Sequence, residues 1–233
     1  MNAPKLALPE ELQDCVIVAS VSGGKDSTAL LLALREAEIP YRAVFANTGW
    51  EHPGIYTYLD ELGARLGPID VVGHPGGMVD MIGKRAAVPS RTQRWCTREL
   101  KLQLITKYHQ RLQEETGRGT ASVVGVRGEE SARRAGLSML EPDRPNGTLV
   151  WTWRPLLRWT VQDVLAIHSR HGVPVNPLYW RGHDRVVAWS KTAHGGVRLA
   201  LDNEHEVGGC MRWGLCDTGT GEDADDTLAE VKP

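Results

Sequence analysis

The run Cys15-Val-Ile-Val-Ala-Ser-Val21 passes directly into Ser22-Gly23-Gly24-Lys25-Asp26-Ser27, and this junction decides the fold class. The first part is short, apolar and β-branched, as expected of a parallel strand covered on both faces. Ser27 to Glu38 follows, rich in Ala and Leu. Its apolar residues surround the helical axis, so the spacing predicts a well-buried helix. Between the two lie adjacent glycines, a lysine and two hydroxyls.

The same alternation continues outward. Tyr41 to Ala46 reads as a second strand, and Pro53 fits the first position of a helix. Ile55, Tyr58, Leu59, Leu62 and Leu66 give that helix one apolar face. Ile69 to Val72 is a third strand. Thr97 to Glu115 is a long helix with Leu100, Leu104, Ile105, Tyr108 and Leu112 on one side, and Thr120 to Val126 is a fourth strand. Thr160 to Arg170 is a further helix, with Thr160 as its cap and Val161, Val164 and Leu165 inward. Strand–helix alternation of this kind predicts an α/β class, a doubly wound, mostly parallel sheet with helices on both faces. From about Glu141 the sequence turns Pro-, Trp- and Gly-rich and yields no firm assignment.

In such sheets ligands bind beyond the carboxyl ends of the strands. The residues after each strand are therefore the candidate site. In the first loop Gly23 and Gly24 permit positive φ and close backbone approach. Successive N–H groups can form a nest for phosphate oxygens, and the following helix N-terminus adds partial positive charge. Lys25 supplies a full charge, and Ser22 and Ser27 supply hydroxyls. The spacing matches neither G-x-x-x-x-G-K-[ST] nor G-x-G-x-x-G. A glycine turn capped by Ser or Asp is the plainer alternative.

Ser-Gly-Gly-x-Asp-Ser after a first strand resembles the signature of the PP-loop ATP pyrophosphatases, and the further motifs resemble the phosphoadenosine-phosphosulfate (PAPS) reductase branch. The resemblance implies a Rossmann-like α/β/α fold of the adenine nucleotide α-hydrolase kind. It also implies that Ser22, Gly23, Gly24, Lys25, Asp26 and Ser27 hold the pyrophosphate of ATP, or an equivalent anion. Asn47-Thr48-Gly49, after the second strand, is similar to the branch's Asp-Thr-Gly segment, with Asn for Asp. A simple Asx turn accounts for Asn47 equally well. Arg94-Trp95-Cys96-Thr97-Arg98-Glu99-Leu100-Lys101 resembles the segment with one Cys ahead of a Lys. Arg94 and Lys101 would meet an anion near a helix start capped by Thr97. Cys96 would sit among positive charges that favour a reactive thiol; a passive cysteine is the alternative.

Gly125-Val-Arg127-Gly-Glu-Glu130-Ser131-Ala-Arg-Arg134 resembles the branch's Gly-x-Arg-x-x-Glu-Ser-x-x-Arg motif. Arg127 and Arg134 would clamp phosphate or sulfate, with Glu130 orienting one of them. Trp153 to Asp163 and Asn176-Pro-Leu-Tyr179 resemble the region that closes over the nucleotide. The matches run from about Val16 to Arg185. The implied catalytic set is Lys25, Asp26, Arg127, Arg134 and Cys96. Ser22 to Ser27, Asn47, Thr48, Gly49, Arg94, Lys101, Gly125, Arg127, Glu130 and Ser131 would contact the nucleotide. Mg²⁺ would bridge the phosphates through Asp26.

After Arg185 the resemblance breaks. Many members continue Gly-Cys-x-x-Cys, whereas here Val186 to Ser190 lack cysteine, and the terminal Glu-Cys-Gly-Leu-His is missing. With Cys15 on the first strand, only Cys96, Cys210 and Cys216 remain, one thiolate short of a four-iron cluster. An iron–sulfur cluster is therefore not expected. The leading expectation is an enzyme that binds ATP or a related adenine nucleotide such as a sulfonucleotide, and either cleaves at the α-phosphate or transfers adenylyl or sulfur to an acceptor. The rivals are a sulfonucleotide reductase using Cys96 or Cys216, a nucleic-acid sulfur-modifying enzyme, and a non-catalytic nucleotide-binding module.

Composition fits this frame. The 233 residues suit one large domain with an appendage: 1–185 as the nucleotide domain, 186–216 as an irregular extension, and 217–233 as an acidic, disordered tail. That tail holds six acidic residues and one Lys, while Lys84 to Arg134 holds twelve Lys/Arg against five Glu, which suits an anionic ligand. Eight Trp against one Phe point to packing between subdomains, or to stacking on a ligand. No apolar run reaches a membrane span, Met1 to Glu10 is unlike a signal peptide, and the four cysteines do not form a disulfide framework. The expected location is the cytoplasm, without membrane association. The expected partners are an adenine nucleotide and either a thioredoxin-like reductant or a nucleic-acid acceptor, with homo-oligomerisation left open.

Overall fold

The computed structural model describes residues 4–89, 95–181, 189–191 and 197–199. Five parallel strands and one antiparallel edge strand form a sheet of order β3-β2-β1-β4-β6-β5. The strands are β1 (Val16–Val21), β2 (Arg42–Asn47), β3 (Ile69–Gly73), β4 (Thr120–Val123), β5 (Leu140–Asp143) and β6 (Val150–Trp153). The order reverses at β1. From it the chain winds outward to β2 and β3, and later returns to place β4 on the other side. The crevice beyond the ends of β1 and β4 is thus the topological switch point where such sheets take ligands.

The two faces of β1 feed two cores, as a period of two requires. Ile17, Ala19 and Val21 pack into the larger core with α1 (Lys25–Glu36), α2 (Pro53–Leu66) and α7 (Val161–Arg170). Val16 and Val18 face the other way, against Tyr108 and Leu112 of α5 (Gln103–Thr116). Every residue of α1 from Ser27 to Leu34 is buried, as its all-round apolar pattern predicts. Pro53 does open α2, and the His52 ring accepts from Gly54 N at 2.8 Å. Thr160 does cap α7: its Oγ1 accepts from Asp163 N at 3.2 Å, and Asp163 Oδ2 accepts from Thr160 N at 2.8 Å.

Several boundaries differ from the sequence expectation. Helix α3 (Gly77–Arg85) and strands β5 and β6 lie in stretches that gave no periodic signal. The expected single helix from Thr97 is α4 (Trp95–Thr97), a π-helical turn over Arg98–Leu102, then α5. Thr97 is itself helical (φ −65°, ψ −43°), so it lies inside the helical run and not ahead of it. Trp95 and Cys96 are already anchored with Leu100 against Met78 and Met81, so the helix starts before the threonine. Strand β4 ends at Val123, short of Val126. On α7, Val164, Ile167 and His168 form the buried stripe, while Leu165 is exposed. Val161 is only half-buried, so of the three residues expected inward Val164 alone lies on the buried stripe. Arg42 to Asn47 and Ile69 to Gly73 agree with expectation within a residue or two.

The short strands β7 (Trp189–Lys191) and β8 (Val197–Leu199) pair antiparallel within the stretch expected to be irregular. Arg94, Gly182, Arg185, Cys210, Cys216 and the acidic tail lie outside the described residues. Among the described residues no helix is long and apolar enough to cross a membrane.

Candidate active site: the loops beyond β1 and β4

Gly23 adopts φ +76°, a left-handed conformation that glycine takes without Cβ strain, and the chain then enters α1 from Gly24. The turn is closed by its own hydroxyls. Ser27 Oγ donates to Gly24 O at 3.0 Å and accepts from Ser22 N at 3.2 Å, and Thr28 Oγ1 donates to Gly24 O at 3.1 Å. The result is a compact bend whose last residues open the N-terminus of a buried twelve-residue helix. That is the arrangement in which backbone N–H groups and the helix dipole attract an anion.

The loop is held from a second side by the segment after α7. Asn176, fully buried, donates from Nδ2 to Gly23 O at 3.0 Å. Lys25 N donates to Tyr179 Oη at 3.2 Å, and the Lys25 ammonium lies 5.0 Å from the centre of the same ring. Burial pushes the Tyr179 hydroxyl well above the ordinary tyrosine range, and burial likewise pushes Tyr58, which donates to Pro174 O at 2.8 Å, up to about 12. Both rings stay neutral at physiological pH.

The third side comes from the loop beyond β4. Gly125 sits so close to α1 that a Cβ there would lie 2.7 Å from Asp26 O and 3.1 Å from Ser27 N. This contact lets Arg127 reach across. Its Nε donates to Asp26 Oδ1 at 2.5 Å and its Nη1 to Glu129 Oε2 at 2.5 Å, with the side chain only 6% exposed. Burial works against the Arg127 charge, but Asp26, Glu130 and Glu129 outweigh it and hold the guanidinium protonated more firmly than a free arginine. Glu130 accepts from Arg127 N and pairs with Arg134 Nη1, so the glutamate expected to orient an arginine orients Arg134. Ser131 caps the short α6 (Ala132–Ala135) by accepting from Arg134 N at 3.2 Å.

These contacts modify the charge expected from sequence. Lys25, Arg127 and Arg134 are each matched to a carboxylate, with Lys25 Nζ lying 3.3 Å from Asp26 Oδ2. Arg127 and Arg134 are thus braces for the loop before they are clamps for a ligand. Asp26 already serves two cations, and among the described residues no group of three His, Cys, Asp or Glu side chains is set to hold a metal ion.

The remaining expected residues lie on the segment that ends β2 and on the helical turns before α5. Asn47 Oδ1 accepts from Gly49 N at 2.8 Å, which is an Asx turn, and lies 2.9 Å from Tyr56 Oη. Thr48 Oγ1 donates to Glu51 Oε1 at 2.7 Å, so the segment beyond β2 closes on its own carboxylate. Thr48 O accepts from Met78 N at 2.7 Å, which ties this loop to α3. Lys101 is half-buried on the π turn, which packs against β2. Cys96 is 3% exposed in an apolar cluster with Met78, Met81, Trp95 and Leu100, and its Sγ lies 3.9 Å from Thr97 Oγ1. Asn176 and Tyr179 had been assigned only to a closing segment. His168, described below, carried no local signal beyond lying on the buried stripe of α7.

The pattern of the phosphoadenosine phosphosulfate reductase domain matches residues 16–194, most of the chain. The chain belongs to this family. An uncharacterised 37.8 kDa protein of Escherichia phage 186 is 30% identical, over 75% of this chain and 66% of its own length. An adenosine 5'-phosphosulfate reductase of Allochromatium vinosum is 27% identical over 73% of this chain and 65% of its own. Sulfate adenylyltransferase subunit 2 of Burkholderia lata is 28% identical over 83% and 68%. The chain spans between about a third and two thirds of the length of the first curated relatives it matches. Among solved structures, a phosphoadenylyl-sulfate reductase of Candida auris in a phosphate complex superposes with TM-score 0.59 at 18% identity, over 77% of this chain and 84% of the other. The FMN adenylyltransferase of Candida glabrata superposes at 0.54 and 19% identity, over 76% of this chain and 56% of the other. At these identities the structures establish the shared Rossmann-like fold.

Proposed function

We propose that this member of the PAPS reductase family binds ATP or a related adenine nucleotide, with its pyrophosphate in the loop Ser22 to Ser27. The observation that carries the reading is the Gly23–Gly24 bend at the topological switch point, braced from three sides and opening the N-terminus of a buried helix. The reaction is attack of an acceptor on the α-phosphorus. The bond to the bridging oxygen breaks, and pyrophosphate leaves with the electron pair. Lys25 and the first N–H groups of α1 take up the charge that develops on the leaving group. Arg127 fixes Asp26, and with it the first turn of α1, so those donors are positioned before the nucleotide arrives. Asp26, the one carboxylate of the loop Ser22 to Ser27, would help hold an Mg²⁺ bound by the phosphates, which would offset their negative charge. The acceptor takes the adenylyl group and gives up the proton of its attacking atom.

Reduction through Cys96 is less well supported, because a thiol packed among two methionines, a tryptophan and a leucine is poorly reached by a protein reductant. The test is incubation with ATP and Mg²⁺, with separate assays for AMP and pyrophosphate, together with nucleotide binding by Lys25→Ala. Tight binding by wild type and loss of at least tenfold in the variant is the expected result. A folded Lys25→Ala protein that binds ATP as tightly as wild type would sink the reading.

A further inference from the structure

His168 projects from the buried face of α7 into the underside of the phosphate loop and is only 4% exposed. Its Nε2 lies 2.9 Å from Lys25 O, and its Nδ1 lies 2.8 Å from Val173 O. Both partners are carbonyl oxygens, which only accept. A neutral imidazole has one N–H and one bare lone pair, so either tautomer would direct a lone pair at one of the two carbonyls. The imidazolium alone donates to both.

We propose that His168 is a positioning residue of the phosphate loop that works as the doubly protonated imidazolium, and that its second proton is taken up together with the anion. The proposal rests on the reading of Ser22 to Ser27 as an anion site. The groups around the ring set the balance. From α1 come Lys25 and Asp26, the latter tied to Arg127 and Lys25. From the segment after α7 comes Tyr179, and from α2 comes Tyr58, both neutral. Farther along α7, Arg170 and His171 are committed to Glu36, and at its start Val161 N donates to Glu129. No carboxylate among these contacts the imidazole, so its charge lacks a direct counter-ion among the described residues. A buried charge without a partner is costly. An anion at the N-terminus of α1 supplies the missing negative charge one peptide away. By linkage, anion binding then favours the second proton, and the second proton favours the anion to the same extent.

The experiment measures affinity for inorganic pyrophosphate by calorimetry across about pH 6 to 9, in wild type and His168→Gln, which keeps an amide donor but no charge. The ratio of the two affinities cancels the titration of pyrophosphate itself. The expected ratio is about tenfold in favour of wild type at the acid end, falling towards one at the alkaline end. Independently of the variant's folding, ¹⁵N spectra of pyrophosphate-saturated wild type near neutral pH should show protons on both ring nitrogens of His168. A ratio that does not change with pH, or a bare ring nitrogen in the saturated protein, overturns the proposal while leaving the anion site intact. If neither folded protein binds pyrophosphate at any pH, the anion-site reading fails and the proposal falls with it.

Discussion

Gly125→Ala tests the central geometry most directly. The glycine lies outside the left-handed region, so alanine suits its backbone and the effect is purely steric. The new Cβ would fall 2.7 Å from Asp26 O, 3.0 Å from Asp26 C and 3.1 Å from Ser27 N. Ordinary contact begins near 3.4 Å, so the Asp26–Ser27 peptide must retreat by about 0.7 Å. All three atoms are backbone in the first turn of a buried helix, and no flexible side chain can absorb the shift. Overpacking of this kind costs about 1–3 kcal/mol of stability. The functional cost is larger in proportion, because the displaced peptide carries the proposed anion donors, and misplacing them by most of an ångström costs about tenfold to a hundredfold in binding or turnover. The assay pairs urea unfolding with ATP and pyrophosphate titration. Gly136→Ala is the control, since its Cβ would meet nothing closer than 3.7 Å. If Gly125→Ala binds ATP as tightly as Gly136→Ala, the loop beyond β4 does not brace the phosphate loop and the reasoning is wrong.

Two further outcomes follow from the same contacts. Arg127→Met should lower stability by about 1–3 kcal/mol in urea unfolding, because it removes the charged hydrogen bonds to Asp26 and Glu129 and leaves Asp26 with Lys25 alone; Arg127→Lys should recover only part, since lysine lacks the two-pronged donor geometry. Equal stability in all three proteins would show the pair to be idle. His109 is 1% exposed, neither ring nitrogen has a hydrogen-bond partner among the described residues, and burial pushes its pKa down to about 4. The unfolded chain then binds the extra proton first, from about pH 6.5 downward, so stability is whole above that pH and is lost on acidification, by about 2 kcal/mol near pH 5 and about 3 kcal/mol once the folded ring protonates. His109→Leu should remove this part of the pH dependence, and parallel curves for the two proteins would contradict it.

How much was legible beforehand depends on how local the signal was. The β1–loop–α1 junction announces itself through a β-branched run, two glycines and an Ala/Leu helix, all within one stretch of chain. The Gly125 to Arg134 segment was likewise readable as a site, because it follows a strand and carries arginines and glutamates together. What failed was the assignment of partners. Arg127 looked like a ligand clamp, yet its first partner is Asp26, a residue a hundred and one positions away. Leu165 looked like core, yet it is exposed, and His168 is buried against the carbonyl of Lys25. Strands β5 and β6 were missed because their hydrogen bonds lie with β4 and with each other, and short Pro- and Trp-containing runs have no period of their own.

The sequence by itself determined the class of fold, the family and the loop proposed to bind phosphate, since each is written in contiguous residues whose local physics suffices. Only the tertiary structure decided how charge is distributed around that loop. Arg127, His168, Asn176 and Tyr179 converge on Gly23 to Asp26 from segments far apart in the chain. Whether a buried cation serves a carboxylate, a carbonyl or a ligand depends on distances of a few ångströms between such segments, and those are set by how α7 and the loop beyond β4 pack against α1.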